Sequence, residues 1–248
     1  MAGHSKWKQI KHKKAKNDAA RGKIFTKLIK EITVAARQGG GDEAANARLR
    51  TAIQAARAAN MPQTNIDRAI KKGTGELPGV SYDEITYEGY GPGGAALIVE
   101  CLTDNKNRTV AEVRHIFSKC NGNLGESGSV AWMFERKGEI TVLQGERSED
   151  DLMELALEAG ADDLSVEDGV ALITCAPESL DAVKKGLEAA GLDIESAELV
   201  MSAQNTIKVE GKQAEQMIKL MERLEDHDDV QNVYSNFDID PEVLAELE

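Results

Sequence analysis

The chain has 248 residues and a mass of 26.9 kDa, and its 30 Lys and Arg residues against 43 Asp and Glu residues give a formal charge of −13. This length allows one to three domains that each bury a core, which argues against a disordered tail protein. The longest apolar runs are five residues long, whereas a membrane-spanning helix needs about 20. The sequence predicts a soluble protein without a membrane span.

The first 30 residues contain ten Lys and Arg residues but no apolar segment of the kind that signal peptides carry. We therefore expect a cytoplasmic protein. The three cysteines, Cys101, Cys120 and Cys175, lack the CxxC and HxxxH spacings of zinc sites. Reduced, buried thiols are the expectation, in agreement with a reducing compartment.

Charge is distributed unevenly along the chain. Residues 1–75 hold 17 Lys and Arg residues and five acidic residues, a formal charge of +12. Residues 76–248 hold 13 basic and 38 acidic residues, a formal charge of −25. Such asymmetry indicates that the basic part binds a polyanion, the alternative being a solvated Lys-rich surface with no partner. We favour nucleic-acid binding because clustered positive charge is what phosphate contact requires.

The most basic segment is residues 1–16, which contain no acidic residue and are predicted to form a flexible arm. Its candidate phosphate contacts are Lys6, Lys8, Lys11, His12, Lys13, Lys14 and Lys16. Trp7 has two interpretations. It stacks on an unpaired base, which is worth about 1–3 kcal/mol, or it packs against the first helix.

Residues 18–73 are predicted to form three helices. The apolar face of the first consists of Ile24, Phe25, Leu28, Ile29, Ile32, Ala35 and Ala36. The opposite face receives Arg21, Lys23, Lys27 and Lys30. Asp42 is the predicted N-cap of the second helix, and Gly73 the predicted terminator of the third. Asn65 and Arg68 are the visible base-reading candidates on the third helix, too few to infer sequence-specific recognition.

Residues 74–81 are predicted to be a linker, and two strand-like runs follow, joined by the sequence GYGPGG at 89–94. These letters satisfy the dinucleotide-binding pattern G-x-G-x-x-G, but a β-like run follows them where that fold needs a helix. We therefore predict a hairpin turn. Thr109 and Glu112 have the spacing of a capping box for the next helix, and SVAWMFER at 129–136 is predicted to be a strand.

From Gly138 the pattern runs strand, helix, strand, strand, helix, strand, which is the ferredoxin-like split motif. The segments after Ala203 supply a strand (TIKVE), a helix and a final strand (VQNVYSNF), which would complete the unit left unfinished at Arg136. The predicted fold class is α+β, with a basic three-helix domain at 1–79 followed by two ferredoxin-like α/β domains, one inserted in the other. The outer domain is formed by 80–136 and 203–248, and the inserted domain is 137–202.

No motif of a hydrolase, a zinc protease, a P-loop or an EF-hand is present, and the four histidines are scattered. We therefore predict a protein that is not an enzyme and has no cofactor and no metal site. The polar segment DNKNRT at 104–109, with Arg108, Arg114 and His115 in or after it, is either a loop with a helix cap or a second phosphate contact.

Six segments carry a resemblance to a known family: AGHSKW, RGKIFTKL, GGGD, YEGYGPGG, DNKNRTVAEVRHIFSK and GSVAW. Together they resemble the YebC family, whose mitochondrial relatives are translational activators of cytochrome c oxidase. The resemblance implies a basic helical first domain, two α/β domains and no catalytic residues. Bacterial members are described as probable DNA-binding transcriptional regulators, and others relieve ribosomes stalled at proline runs.

By position, the resemblance carries nucleic-acid contact to the basic residues of the matching segments. These are Lys6, Lys8, Lys11, His12, Lys13, Lys14, Arg21, Lys23, Lys27, Arg108 and Arg114. The expected partner is DNA or ribosomal RNA. The acidic domains are expected to contact a basic protein partner or to limit indiscriminate binding by repelling phosphates. No membrane partner is expected.

Overall fold

The computed structural model describes residues 18–167 and 169–240. Its α-helices are α1 (Asp18–Gly39), α2 (Ala47–Ala58), α3 (Gln63–Gly73), α4 (Lys106–Lys119), α5 (Glu149–Glu158), α6 (Leu180–Ala189) and α7 (Gly211–Glu225). Its strands are β1 (Asp83–Tyr90), β2 (Ala96–Thr103), β3 (Asn123–Leu124), β4 (Phe134–Leu143), β5 (Asp163–Glu167), β6 (Val170–Cys175), β7 (Ile194–Ala203), β8 (Ile207–Lys208), β9 (Val230–Ser235) and β10 (Phe237–Asp238). The chain is therefore an α+β protein that begins with three helices, as predicted.

Helices α1 to α3 form a helical module around a core of Ile32, Leu49, Ile53 and Ile66, each at most 2% exposed. Gly73 ends α3 where it crosses α1, and a Cβ at this position would collide with the backbone carbonyl of Thr33. A glycine is required there because the two helix backbones approach too closely for any side chain. The apolar periodicity therefore located this core, except that Ile24, which it placed on the apolar face of the first helix, is exposed.

The second helix begins later than predicted, because Asn46 and not Asp42 is its N-cap. The Asn46 side chain accepts a hydrogen bond from the Leu49 N–H at 3.0 Å and donates to the carbonyls of Ala35 at 2.8 Å and Gly40 at 2.9 Å. An amide both donates and accepts, so Asn46 joins the end of α1 to the start of α2, which a carboxylate does not do.

The first sheet has the strand order β3-β1-β2-β9 and is covered by α4 and α7. The second sheet has the order β5-β6-β4-β7 and is covered by α5 and α6. If the strands of the second sheet are numbered 1 to 4 in chain order, they lie side by side in the order 2-3-1-4, which is the ferredoxin-like arrangement. The first sheet has the same spatial arrangement but a different chain order. Strand β1 occupies the place of the motif's third strand, although it comes first in the chain.

The predicted junctions of the inserted domain, at 136/137 and 202/203, fall within strands. Strands β4 and β7 pair antiparallel from Phe134↔Ala203 through Lys137↔Val200 to Thr141↔Ser196, and after a shift in register Val142 pairs with Ile194. These two strands therefore connect the two sheets physically. The division at 137–202 stays a prediction.

The GYGPGG segment forms a hairpin turn, as predicted. Strand β1 pairs antiparallel with β2 from Asp83↔Thr103 to Tyr90↔Ala96, and a 3₁₀ turn at Pro92–Gly94 joins them. Gly93 adopts φ 74°, a backbone conformation that favours glycine. A strand and not a helix follows the turn.

The strand predicted at 129–136 begins only at Phe134, because the preceding backbone is held by a buried carboxylate. Glu88 is 6% exposed and accepts hydrogen bonds from the N–H groups of Gly128 at 2.6 Å, Val130 at 2.8 Å and Ala131 at 2.8 Å. Burial by itself raises the pKa of Glu88, but these three bonds favour the charged form and leave the pKa below its ordinary value.

The three cysteines are free and buried, as the sequence predicts. Burial raises the pKa of the Cys101 thiol to about 12, so it stays protonated at neutral pH. Within the described residues, no helix is both long enough and apolar enough to cross a membrane.

We expect Glu88→Gln to lower the free energy of unfolding at neutral pH by about 1–3 kcal/mol, because a neutral amide accepts these N–H groups less well. The folded-state pKa of Glu88 lies below its ordinary value of 4.5, so its contribution is complete above that pH and is lost as the pH falls through the folded pKa. Urea denaturation of both proteins at several pH values measures the difference.

Glu126→Gln is the matched control, because Glu126 is exposed in the same loop. The variants should differ at neutral pH and converge in acid. Equal stabilities at neutral pH would contradict the role assigned to Glu88.

Candidate nucleic-acid interface

The predicted phosphate contacts fall into two groups in the structure. Lys6, Trp7, Lys8, Lys11, His12, Lys13, Lys14 and Lys16 lie outside the described residues, as does the side chain of Arg21. The side chains of Lys23, Lys27, Arg108 and Arg114 are described. The first two lie on α1 and the last two on α4.

Lys23 and Lys27 face the carboxyl end of α7. The Lys23 ammonium lies 3.1 Å from the Asp226 carboxylate, and the Lys27 ammonium donates to the Glu225 carbonyl at 2.6 Å. The last carbonyls of a helix have no partner within it and carry partial negative charge, which attracts cations. Both lysines, predicted as phosphate contacts, therefore also attach the helical module to the unit built on the first sheet.

One turn further along α1, Lys30 forms a buried ion pair with Asp229. The Lys30 ammonium lies 2.6 Å from the Asp229 carboxylate and donates to the Asp228 carbonyl at 2.8 Å. It also lies 5.6 Å from the centre of the Tyr82 ring, a cation–π distance. The sequence predicted Lys30 on the face of α1 opposite its apolar residues, but this face is not solvent-exposed here: Lys30 is 7% exposed, because the loop after α7 covers it.

The Asp229 carboxylate is the centre of this junction. It accepts hydrogen bonds from Arg108 at 2.8 Å, from the Thr109 hydroxyl at 2.8 Å and from the Thr103 hydroxyl at 3.2 Å, in addition to Lys30. Burial alone would raise the pKa of Asp229, but the hydrogen bonds from Lys30, Arg108 and Thr109 outweigh it and hold the pKa well below its usual range. The carboxylate is therefore ionised at any physiological pH.

The predicted capping box at Thr109 and Glu112 was wrong for a related reason. Helix α4 begins at Lys106, and its N-cap is Asn105, which accepts from the Arg108 N–H at 3.1 Å. Thr109 lies inside the helix, where its hydroxyl is fully buried against Asp229. Glu112 points instead to His227.

The two predicted contacts on α4 differ from each other. Arg108 forms ion pairs with Asp104 and Asp229, both at 2.8 Å, so its guanidinium is engaged within the protein. Arg114 is exposed and has no ion-pair partner among residues 18–167 and 169–240. Of the two, Arg114 is the side chain available to an external phosphate.

The helical module makes further contacts with the first sheet that the sequence does not predict. Arg48 forms ion pairs with Glu31 at 2.6 Å and with Glu84 of β1 at 2.7 Å. Arg37 donates to the Ser81 hydroxyl and to the Tyr82 carbonyl. Nothing in the local sequence distinguishes these arginines from solvated ones, because their partners belong to another element of the chain.

A cleft of about 940 Å³ lies between α1 and α4. Its walls include Lys23, Tyr82, Arg108, His115 and His227. Cations and carboxylates alternate around it, so its charge alone does not select one sign of ligand.

One group in this cleft has the residue types of a metal site: the ligand atoms of Glu112, His227 and Asp229 lie within 4.8 Å of one another. His227 Nδ1 accepts from the Asp229 N–H at 3.1 Å, so Nε2 carries the proton and donates to Glu112 at 2.8 Å. The Asp229 oxygens are already bonded to Lys30 and Arg108. The atoms that would hold a cation here are thus engaged in hydrogen bonds within the protein.

A basic helical module fixed to two ferredoxin-like sheets defines the class of this protein. The chain belongs to the TACO1/YebC family: residues 5–76 match the family's N-terminal domain, and residues 82–237 match its second and third domains. The family assignment made from the sequence is confirmed.

Two relatives illustrate the similarity, and both are named probable transcriptional regulatory proteins. The one from Desulfatibacillum aliphaticivorans is 60% identical over 246 residues, 99% of this chain and 100% of that protein. The one from Desulforapulum autotrophicum is 61% identical over 243 residues, 98% of each. A solved structure, the conserved hypothetical protein Aq1575 from Aquifex aeolicus, is 51% identical with a TM-score of 0.86, covering 93% of this chain and 95% of that one.

We expect Lys30→Met to destabilise the protein by about 3 kcal/mol or more, because it leaves a buried carboxylate without its closest cation. Lys23→Met is the matched control: its ion pair is solvent-exposed, and exposed pairs contribute about 0–1 kcal/mol. Urea denaturation gives both values. Equal losses for the two variants would show that the Lys30–Asp229 pair has no special role.

Proposed function

We propose that this protein is a non-enzymatic, nucleic-acid-binding regulator of gene expression that acts in the cytoplasm. The basic helical module and the residues before it contact phosphates, and the remaining two thirds of the chain is an acidic support. The observation that carries the proposal is the charge division, +12 over residues 1–75 and −25 over the rest. The names of the relatives support a role in regulation.

The ion pairs of the helical module support a specific distribution of contacts. Lys30, Arg37 and Arg48 are engaged with the unit built on the first sheet. Arg68, Lys71 and Lys72 on α3 are exposed and have no ion-pair partner among the described residues. These three cations, together with Lys6 to Lys16 and Arg21, are the ones we assign to phosphate. Lys23 and Lys27 would contribute at the edge of the surface, near α7.

The nature of the nucleic acid leaves two candidates. The relatives' names favour duplex DNA and control of transcription. The side chains of α3 favour structured RNA on the ribosome, and hence translation, because Lys and Arg on phosphates position a protein without reading bases. Of the two base-reading candidates, Asn65 is half-buried, which leaves Arg68 as the exposed one.

The first experiment is a salt titration of binding. If about six phosphates are neutralised, the logarithm of the association constant falls with the logarithm of the salt concentration at a slope near −5 on duplex DNA. We expect the triple variant Lys11→Glu, Lys13→Glu and Lys14→Glu to abolish binding or to remove most of this slope. Fluorescence anisotropy with labelled DNA and labelled ribosomal RNA fragments measures both quantities.

The control reverses three lysines of the acidic part, Lys184, Lys185 and Lys208, each of which has a carboxylate partner within the protein. It should bind nearly as the native protein does. Unchanged affinity of the Lys11, Lys13 and Lys14 variant would refute the proposal. Co-sedimentation with ribosomes, compared with binding to promoter-length DNA at the same salt concentration, decides between the two nucleic acids.

A further inference from the structure

The acidic part of the chain holds 13 Lys and Arg residues, all within the described residues. Six form ion pairs with carboxylates: Lys106, Arg108, Lys137, Lys184, Lys185 and Lys208. Arg147 donates to backbone carbonyls. Among residues 18–167 and 169–240, the other six have no such partner, and all of these except Arg136 lie on α4 and α7. The unpaired cations are therefore concentrated on the helices that cover the first sheet.

Three of these cations form one stripe along α7. Lys212, Lys219 and Arg223 are separated by seven and four residues, so they share one side of the helix. All three are exposed, and the stripe lies opposite the buried side that contains Met217, Met221 and other core residues. The stripe is about 16 Å long at 1.5 Å per residue. Glu215 and Glu222 flank this stripe on the same helix, because they lie three or four residues from Lys212 and Lys219.

Lys119, the last residue of α4, extends this surface across to the neighbouring helix. The next residue, Cys120, belongs to the core that α4 and α7 share. Cys120 packs in one core with Leu220 and Leu224, so the end of α4 lies beside the part of α7 that carries Lys219 and Arg223. Burial raises the pKa of the Cys120 thiol, and the positive charges of Arg223 and Lys219 oppose that rise. Lys119, Lys212, Lys219 and Arg223 are called the α4–α7 face below.

Two carboxylates near this surface bind other side chains of the protein. Asp226 pairs with Lys23, and Glu112 bonds to His227. The cleft between α1 and α4 adjoins the end of α7, and its walls include Lys23 of α1, His115 of α4 and the carboxylates of Asp226 and Asp228. A polyanion that leaves the module across this cleft would meet the α4–α7 face next.

We propose that the α4–α7 face is a second phosphate-binding surface, which contacts the backbone of the nucleic acid held by the basic helical module. The inference rests on the function proposed above and adds a site to it. The ligand chemistry is the phosphodiester backbone, common to DNA and RNA. The site supplies affinity and orientation, because lysine and arginine contacts to phosphate carry no base information.

The test is the triple variant Lys119→Gln, Lys219→Gln and Arg223→Gln, titrated with salt against labelled duplex DNA and labelled ribosomal RNA. Each lost phosphate contact removes about 0.9 from the slope on duplex DNA and about 0.7 on single strands. We expect the slope to fall in magnitude by about 2–3 on the native target and the affinity near physiological salt to fall about tenfold or more. The arm that shows this change identifies the backbone as DNA or RNA.

The matched control is Lys184→Gln, Lys185→Gln and Lys208→Gln, which removes the same charge from other surfaces. Its slope should equal that of the native protein. If the two triple variants have the same slope, the α4–α7 face is not a phosphate site. If the native protein shows no salt-dependent binding to either nucleic acid, the proposed function itself fails, and this site fails with it.

The substituted side chains are exposed, so thermal unfolding of the test variant and the control should coincide with that of the native protein. If the test variant unfolds at a lower temperature, the single variants Lys219→Gln and Arg223→Gln replace it. Each single variant should lower the magnitude of the slope by the value of one phosphate contact, about 0.9 on duplex DNA or about 0.7 on single strands. Slopes equal to that of the native protein would overturn the proposal.

Discussion

The helical module is attached to the unit built on the first sheet by a buried ion pair, that of Lys30 with Asp229, and by the more exposed contacts of Lys23 and Arg48. Taking two charges out of water costs several kcal/mol each, and their attraction offsets this cost only when the remaining donors and acceptors are also satisfied. Here they are: the carboxylate accepts from Arg108, Thr103 and Thr109, and the ammonium donates to a backbone carbonyl. The partners belong to α1, to α4 and to the loop before β9, so this ion pair and its hydrogen bonds join these three elements.

The same junction divides the basic residues of the helical module into two sets. Cations on the side of α1 that faces the first sheet, with Arg37 and Arg48, attach the module. Those on α3 are left exposed, with no ion-pair partner in the part of the chain that the structure describes. Positive charge in a sequence therefore has two uses in this protein, and only the tertiary contacts separate them. In the proposed function, the attached cations make the exposed ones effective, because a phosphate-binding surface held rigidly loses less conformational entropy on binding than a mobile one.

In the proposed complex, the charge distribution of the acidic part would orient the bound nucleic acid. Residues 137–202 contain 17 acidic and four basic residues, so in the proposed complex the unit built on the second sheet would repel phosphates. The unpaired cations of the unit built on the first sheet lie mainly on α4 and α7, next to the cleft that faces α1. In the proposed complex, a nucleic acid bound to the helical module would be attracted along one surface and repelled from another, and this would orient it without any contact to its bases.

Local patterns in the sequence determined much of this structure. Apolar residues at helical spacing predicted the core of α1 to α3, and the alternation of elements from Gly138 onward predicted the ferredoxin-like arrangement, because both depend on which side of one element is buried. The letters GYGPGG predicted a turn because a strand follows them. Family membership also followed from the sequence, because six segments match over nearly the whole chain.

Only the tertiary structure decided the rest, and the reason is the same in each case. By their local sequence, Lys30 resembles a solvated lysine, Thr109 a helix cap and SVAW a strand. In the fold, Asp229 binds Lys30 and Thr109 from 199 and 120 residues away, and Glu88 binds the backbone of Val130 from 42 residues away. The role of a charged or polar side chain depends on the residue with which it pairs. That partner belongs to a distant segment, so its effect is invisible to spacing and composition alone.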